Sequence, residues 1–142
     1  MPWTSAEQWT RGAWTIADQW LVAQTIYGEA RGEPWEGQLA VGYVIRNRQQ
    51  KSGLSVAQVV MARGQFTCWL LQRQMLRRLT FHTPRMLDCL AVALLVDEGR
   101  IPDPSRGSCY FCTRTSRPAW IRGHTPVVTI GQHRFFNTIP YP

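Results

Sequence analysis

Apolar residues recur at helical spacing through the first two thirds of the chain and alternate like strands near its end. Ser5 and Gln8 stand at capping-box spacing and predict a short helix from near Ala6, carrying Trp9 and Arg11 and ending at Gly12. Thr15 and Asp18 repeat the signal. Behind them Ile16, Trp20, Ala23 and Tyr27 step by four, three and four, which is one helical face. Gly28 lies where that helix should end, which sets Glu29 in a bend before the next helix. Pro34 suits a first turn. Leu39, Val41, Tyr43, Val44 and Ile45 then spread over so wide an arc that this second long helix should be the central buried one, with Arg46 and Arg48 returning it to solvent. Ser55 caps a short helix carrying Val56, Val59 and Val60. Gly64 opens a loop holding Gln65, Phe66 and Thr67, and a helix follows from about Trp69 to Leu79. Thr83-Pro84 begins a last helix that runs to Gly99 on a face of Leu87, Leu90 and Leu94.

After Gly99 the grammar changes. Pro102 and Pro104 end the helical part. CYFCT (109–113) reads as a strand, and PVVTIGQHRFF (126–136) as two strands joined at Gly131-Gln132. The expected fold is α+β: a mostly helical domain with a small C-terminal antiparallel sheet or hairpin. The 142 residues fit a single domain, with an N-terminal extension over 1–14 and a core from about 15 to 137.

Hydrophobic content of 44% with 18% charged residues excludes a disordered chain. The net charge of +7, mostly arginine, asks for a polyanionic partner, either nucleic acid or a bacterial envelope. RQMLRRL (73–79) is the best basic stripe, but no nucleic-acid fingerprint accompanies it. Seven tryptophans offer rings that stack on sugars as well as on bases. No basic segment followed by an apolar run marks the start as a secretory signal. The longest apolar run, CLAVALLV (89–96), is too short to cross a bilayer. The cysteines at 68, 89, 109 and 112 include one C-x-x-C but no second hook, and the histidines at 82, 124 and 133 are scattered. No metal and no cofactor are therefore expected, only small buried thiols or an incidental disulfide.

The chemistry concentrates in IYGEARGEPWEGQLAVGYVIRNR (26–48). Gly28 and Gly32 flank Glu29, where a backbone without Cβ atoms turns tightly and admits a bulky ligand. Apolar walls on both sides should raise the Glu29 pKa above the ordinary value of about 4.3. A carboxylic acid still protonated near neutral pH is what general-acid cleavage of a glycosidic bond requires.

This segment resembles the SleB-type cell-wall hydrolases, the catalytic domains of spore cortex-lytic enzymes and their phage and bacterial relatives. The resemblance rests on YGEARGEP (Tyr27 to Pro34), then Gly37, Gln38, Ala40, Val41 and Asn47-Arg48. Three further blocks follow in order: VVMARGQFTCW (59–69), SCYFCTRTSRPAWI (108–121) and TIGQHRFF (129–136). Cys112-Thr113 departs from the family's Asn-Pro, and residues 68–82 look locally specialised. The resemblance implies a lysozyme-like fold, peptidoglycan as substrate and Glu29 as the catalytic acid. It also marks Gln65, Phe66, Thr67, Tyr110, Trp120, His133 and Asn47 as candidate substrate-binding residues.

Most glycosidases need two carboxyl groups. Glu33 and Glu36 suit the positive end of the second long helix, and Asp88, Asp97, Glu98 and Asp103 belong to a distant helix and its exit. The shortage points to a lytic transglycosylase, which closes a 1,6-anhydromuramyl ring with one acid. A water-adding muramidase of the same fold is the near alternative. A basic nucleic-acid-binding module and a non-catalytic wall-binding or virion structural protein are alternatives of another class. The expected setting is a monomeric phage endolysin or virion-associated lysin that is made in the cytoplasm and reaches the anionic wall through a holin-type pore or on a virion, with no nucleic-acid partner.

Overall fold

Thr15 and Asp18 exchange backbone and side-chain hydrogen bonds and open α1, Ile16–Ala30. This is the first helix of the computed structural model, which describes residues 13–142. The helix expected over residues 6–12 lies outside the described residues. Of the face expected on α1, Ala23 is buried and Trp20 and Tyr27 pack against the core, whereas Ile16 is 85% exposed; Val22, Ile26 and Ala30 complete the buried side. The helix also continues past Gly28, so Glu29 sits in its last turn and not in a bend. The turn comes at residues 31–34, with Pro34 as the cap of α2, Trp35–Ser52.

α2 is the central helix, buried from Gly37 to Arg48. It does not return to solvent at Arg46 and Arg48, which are 1% and 2% exposed. The Arg46 guanidinium donates to the Val96 carbonyl, and Arg48 Nε donates to the Cys109 carbonyl at 2.7 Å. Both arginines therefore leave the helix surface by capping carbonyls of other segments. Ser55 and Gln58 form a second capping box at the start of α3, Val56–Val60.

The helix expected from Trp69 to Leu79 is two short ones, α4 (Thr67–Leu71) and α5 (Arg73–Arg77), separated at Gln72, whose φ of −127° is not helical. α6 is Met86–Glu98 and begins after Arg85, which holds a φ of +69°. Thr83 closes the preceding turn instead, accepting from the Thr80 N–H at 3.0 Å. α6 buries Met86, Cys89, Val92, Ala93 and Val96, whereas Leu87 and Leu94 face solvent. Its Val96 presses on Gly42 of α2, where a Cβ would lie 2.9 Å from Val96 Cγ2. α1, α2 and α6 share this core.

The last third is the expected sheet: β1 (Tyr110–Thr113), β2 (Val128–Ile130) and β3 (His133–Phe136), antiparallel in the order β1-β3-β2. Gly131 turns the β2–β3 hairpin at a φ of +57°. β3 is central and buried. β1 is an edge, so alternate backbone groups along it have no sheet partner. No helix among the described residues is long and apolar enough to cross a membrane.

Candidate active site

Gly28 decides how the site is walled. A Cβ there would sit 2.6 Å from Cys68 Cβ and 2.7 Å from Cys68 Sγ, so the missing side chain admits α4 and not a ligand. Gly32, by contrast, has open space where its Cβ would be. α4 and α5 are clamped in place by Trp69 Nε1–H donating to Thr25 Oγ1 at 2.9 Å and by Gln24 Nε2 donating to the Leu76 carbonyl at 2.9 Å. The buried thiol of Cys68, its own pKa pushed up to about 12, thus backs the last turn of α1.

One residue further on, Glu29 faces a cleft of about 660 Å³. Burial pushes its pKa up to about 7, against a smaller opposing pull from the Arg48 charge. Its carboxyl has no hydrogen bond or ion pair among the described residues, which leaves the proton available to a ligand.

The opposite wall is the edge strand β1 with the 3-10 turn Ala119–Ile121. Tyr110 and Trp120 lie with ring centroids 5.2 Å apart, and Trp120 meets Phe136 edge-on at 5.3 Å. On the other face of the sheet Phe111 stacks on Phe135 at 5.6 Å and meets the edge of His133 at 5.1 Å. Gln65 and Thr67 reach the cleft from the loop that precedes α4. Neither side chain has a hydrogen-bond partner among the described residues. Five of the sequence-derived candidates, Gln65, Thr67, Tyr110, Trp120 and His133, therefore come together around Glu29.

Two do not. Phe66 is buried, with the Arg48 guanidinium 4.8 Å above its ring, and it lines a separate hollow. Asn47 is buried too. It neither bonds the Glu29 turn nor caps its own helix: its Nδ2 donates to Asp103 Oδ2 at 2.9 Å and to the Ser108 carbonyl at 3.0 Å. Asp103 in turn accepts from Ser105 and Gly107. Asn47 and Arg48 thus hold the segment that feeds β1, and through it the aromatic wall of the cleft.

The structure adds Arg48 to the site. Its guanidinium is enclosed by Phe66, Tyr110 and Tyr141, at 4.8, 5.6 and 5.2 Å from their rings. It also lines the cleft, and its Nη1 is buried without a hydrogen-bond partner. The signal for it is in the spacing: Val41, Ile45 and Arg48 lie on one helical face.

Glu33 explains the hairpin's position. Its Oε1 accepts from the Gln132 N–H at 2.8 Å and lies 3.8 Å from His133 Nδ1. Gly131 is required beside it, because a Cβ there would meet Glu33 Oε1 directly. Burial lowers the His133 pKa, opposed by the Glu33 charge, so the imidazole is neutral at neutral pH. Glu33→Ala should lower unfolding stability by about 1 kcal/mol through the lost hydrogen bond. It should also lower the His133 pKa further, which NMR titration checks. An unmoved His133 titration would mean that the carboxylate does not act on the ring.

Among the described residues lining the cleft, Glu29 is the only acid. Glu36 is exposed on α2, Asp88 is exposed on α6, Asp97 caps Trp14 and binds Gln19, and Glu98 pairs with Arg100. None of the four cysteines is disulfide-bonded, and burial raises the pKa values of Cys68, Cys89 and Cys109.

A mostly helical domain with a small antiparallel sheet is also the fold that comparison with known proteins returns. The sequence profile of the Cell Wall Hydrolase family matches residues 32–136, beginning just after Glu29, and the chain belongs to that family. Among its relatives are spore cortex-lytic enzymes of Halalkalibacterium halodurans, 36% identical over 120 residues, and of Bacillus subtilis, 34% identical over 127 residues. These matches cover 82% and 87% of this chain but only 34% and 39% of the relatives, so the chain spans little more than a third of their length. The catalytic domain of the Bacillus cereus SleB protein superposes with a TM-score of 0.69 at 28% identity, covering 87% of this chain and 91% of that domain. The catalytic domain of a germination-specific lytic transglycosylase, SleB of Bacillus anthracis, gives 0.69 at 26% identity, covering 89% and 99%.

Proposed function

We propose that this chain cleaves the glycan strands of peptidoglycan between N-acetylmuramic acid and N-acetylglucosamine, as a lytic transglycosylase. The observation that carries the reading is a single carboxylic acid, raised to about 7, in a cleft that no second acid among the described residues lines. The names of the relatives support it.

The Glu29 carboxyl donates its proton to the bridging oxygen as the bond from muramyl C1 to that oxygen breaks. The N-acetylglucosamine leaves with a free 4-hydroxyl, and C1 becomes oxocarbenium-like. Glu29, now a carboxylate, takes the proton from the muramyl 6-hydroxyl as that oxygen bonds to C1. The 1,6-anhydro ring closes, the proton returns to Glu29, and no water is consumed. Arg48 favours the transient carboxylate, since its charge pulls the Glu29 pKa down. Tyr110 and Trp120 offer ring faces to the sugars, and Gln65 and Thr67 offer hydrogen bonds to acetamido or hydroxyl groups.

Mass spectrometry of products released from purified peptidoglycan tests this, with Glu29→Gln in parallel. Anhydromuramyl ends made by the wild type alone are the expected result. Reducing muramyl ends would make the protein a hydrolysing muramidase. An intact substrate, together with salt-sensitive retention of DNA, would favour the nucleic-acid-binding reading.

A further inference from the structure

Glu29 lines a second, smaller hollow of about 330 Å³ together with Arg31, Glu33 and Arg85. Arg31 in turn lines a third and larger one of about 960 Å³, whose wall includes Tyr27, Arg73 and Arg78. The three hollows are thus linked by shared side chains, and the path leads from the acid onto the surface of α4 and α5. No carboxylate among the described residues lines the large hollow. The sequence contains no Asp or Glu between Glu36 and Asp88, although Arg63, Arg73, Arg77, Arg78 and Arg85 fall there. Among the described residues, none of Arg31, Arg73 and Arg78 is in a salt bridge. Arg31 is nonetheless held in place: its Nη1 donates to the Tyr27 carbonyl at 3.1 Å, and its guanidinium lies 4.9 Å over the Tyr27 ring.

We propose that this arginine-lined hollow receives the peptide stem of the glycan strand, with Arg31, Arg73 and Arg78 meeting the stem's carboxylates. The inference rests on the peptidoglycan reading above and narrows it to strands that carry stems. The stem leaves the muramyl ring at its C3 lactyl group, within one sugar of the C1 that Glu29 acts on. A groove contiguous with Glu29 is therefore where a stem would lie. Its chemistry is anionic carboxylate on short aliphatic side chains. Leu70 and Leu71, 78% and 75% exposed on the same wall, suit the aliphatic part as the arginines suit the anionic part.

The test compares kcat/KM on glycan strands with intact stems and on the same strands after an amidase has removed them. The proteins are the wild type and the double variant Arg73→Gln/Arg78→Gln, both exposed positions whose change leaves the core untouched. The wild type should favour stem-bearing strands by about tenfold, and the double variant should cut that preference about fivefold, as expected for two solvent-exposed charge contacts. Equal wild-type rates on both substrates would overturn the stem site while leaving glycan cleavage established. An unchanged preference in the double variant would overturn it as well. So would a preference unaffected by the substitutions alongside lost binding to phosphatidylglycerol vesicles, which would assign the arginines to an anionic lipid surface. Cleavage of neither substrate would remove the peptidoglycan reading and this inference together.

Discussion

Glu29→Gln should lose about 10²–10⁴ of the glycan-cleaving rate and, at neutral and alkaline pH, fold more stably than the wild type. The two effects have one cause. The walls that keep the Glu29 proton in place near pH 7 do so by penalising its carboxylate, and the carboxylate is the form most of the unfolded chain holds at that pH. Between the unfolded value of about 4.5 and the folded value of about 7, the folded state binds more protons than the unfolded one. Stability therefore falls as pH rises through that window, by at most about 3 kcal/mol. Below the window Glu29 is protonated in both states and the penalty vanishes. The amide never ionises and never incurs it. Denaturant unfolding at pH 4 and pH 8 measures the effect: the difference between variant and wild type should grow in the variant's favour at the higher pH. A constant difference would mean that Glu29 is ordinarily solvated. Activity follows the same proton, with the rate declining as pH rises through about 7.

Glu29 was legible because its signals are local: a carboxylate between glycines, flanked by apolar helical runs. The helix starts at Thr15 and Ser55, and the late strands, were legible for the same reason. What escaped depends on contacts distant in sequence. Arg46 and Arg48 carry charge, so composition sends them to solvent, yet carbonyls from α6 and from the segment before β1 bury them. Asn47 was expected to bind substrate, but its partner is Asp103, more than 50 positions away. α6 is apolar nearly all round, so its pattern could not choose between the Leu87 and Leu94 side and the Cys89, Val92 and Val96 side. The break at Gln72 has no glycine or proline to announce it. In the cleft, Tyr110, Trp120 and His133 were found by motif, whereas Arg48 needed the fold to show that its helix face points at them.

Gly28→Ala should disrupt the packing directly behind the acid. An alanine Cβ would lie 2.6 Å from Cys68 Cβ, 2.7 Å from Cys68 Sγ and 3.2 Å from Leu76 Cδ2. Neither partner is the free end of a long side chain, and the hydrogen bonds from Trp69 and Gln24 leave α4 and α5 little slack. Overpacking of this kind costs about 1–3 kcal/mol, against which alanine's better helix propensity returns at most about 1 kcal/mol. A net loss of stability in denaturant unfolding is expected. The displaced wall also has a chemical consequence. Moving Cys68 away from α1 admits water to Glu29, so its pKa should fall back toward the ordinary carboxylate value and the decline in rate should begin at lower pH. Cys68→Gly separates this from a generic helix effect, because it removes both of the closest atoms. Combined with Gly28→Ala it should restore more stability than the two single changes predict when added, by about 1 kcal/mol. Strict additivity would show that α4 moves freely, and the close packing of Gly28 against Cys68 would then not be what keeps the acid dry.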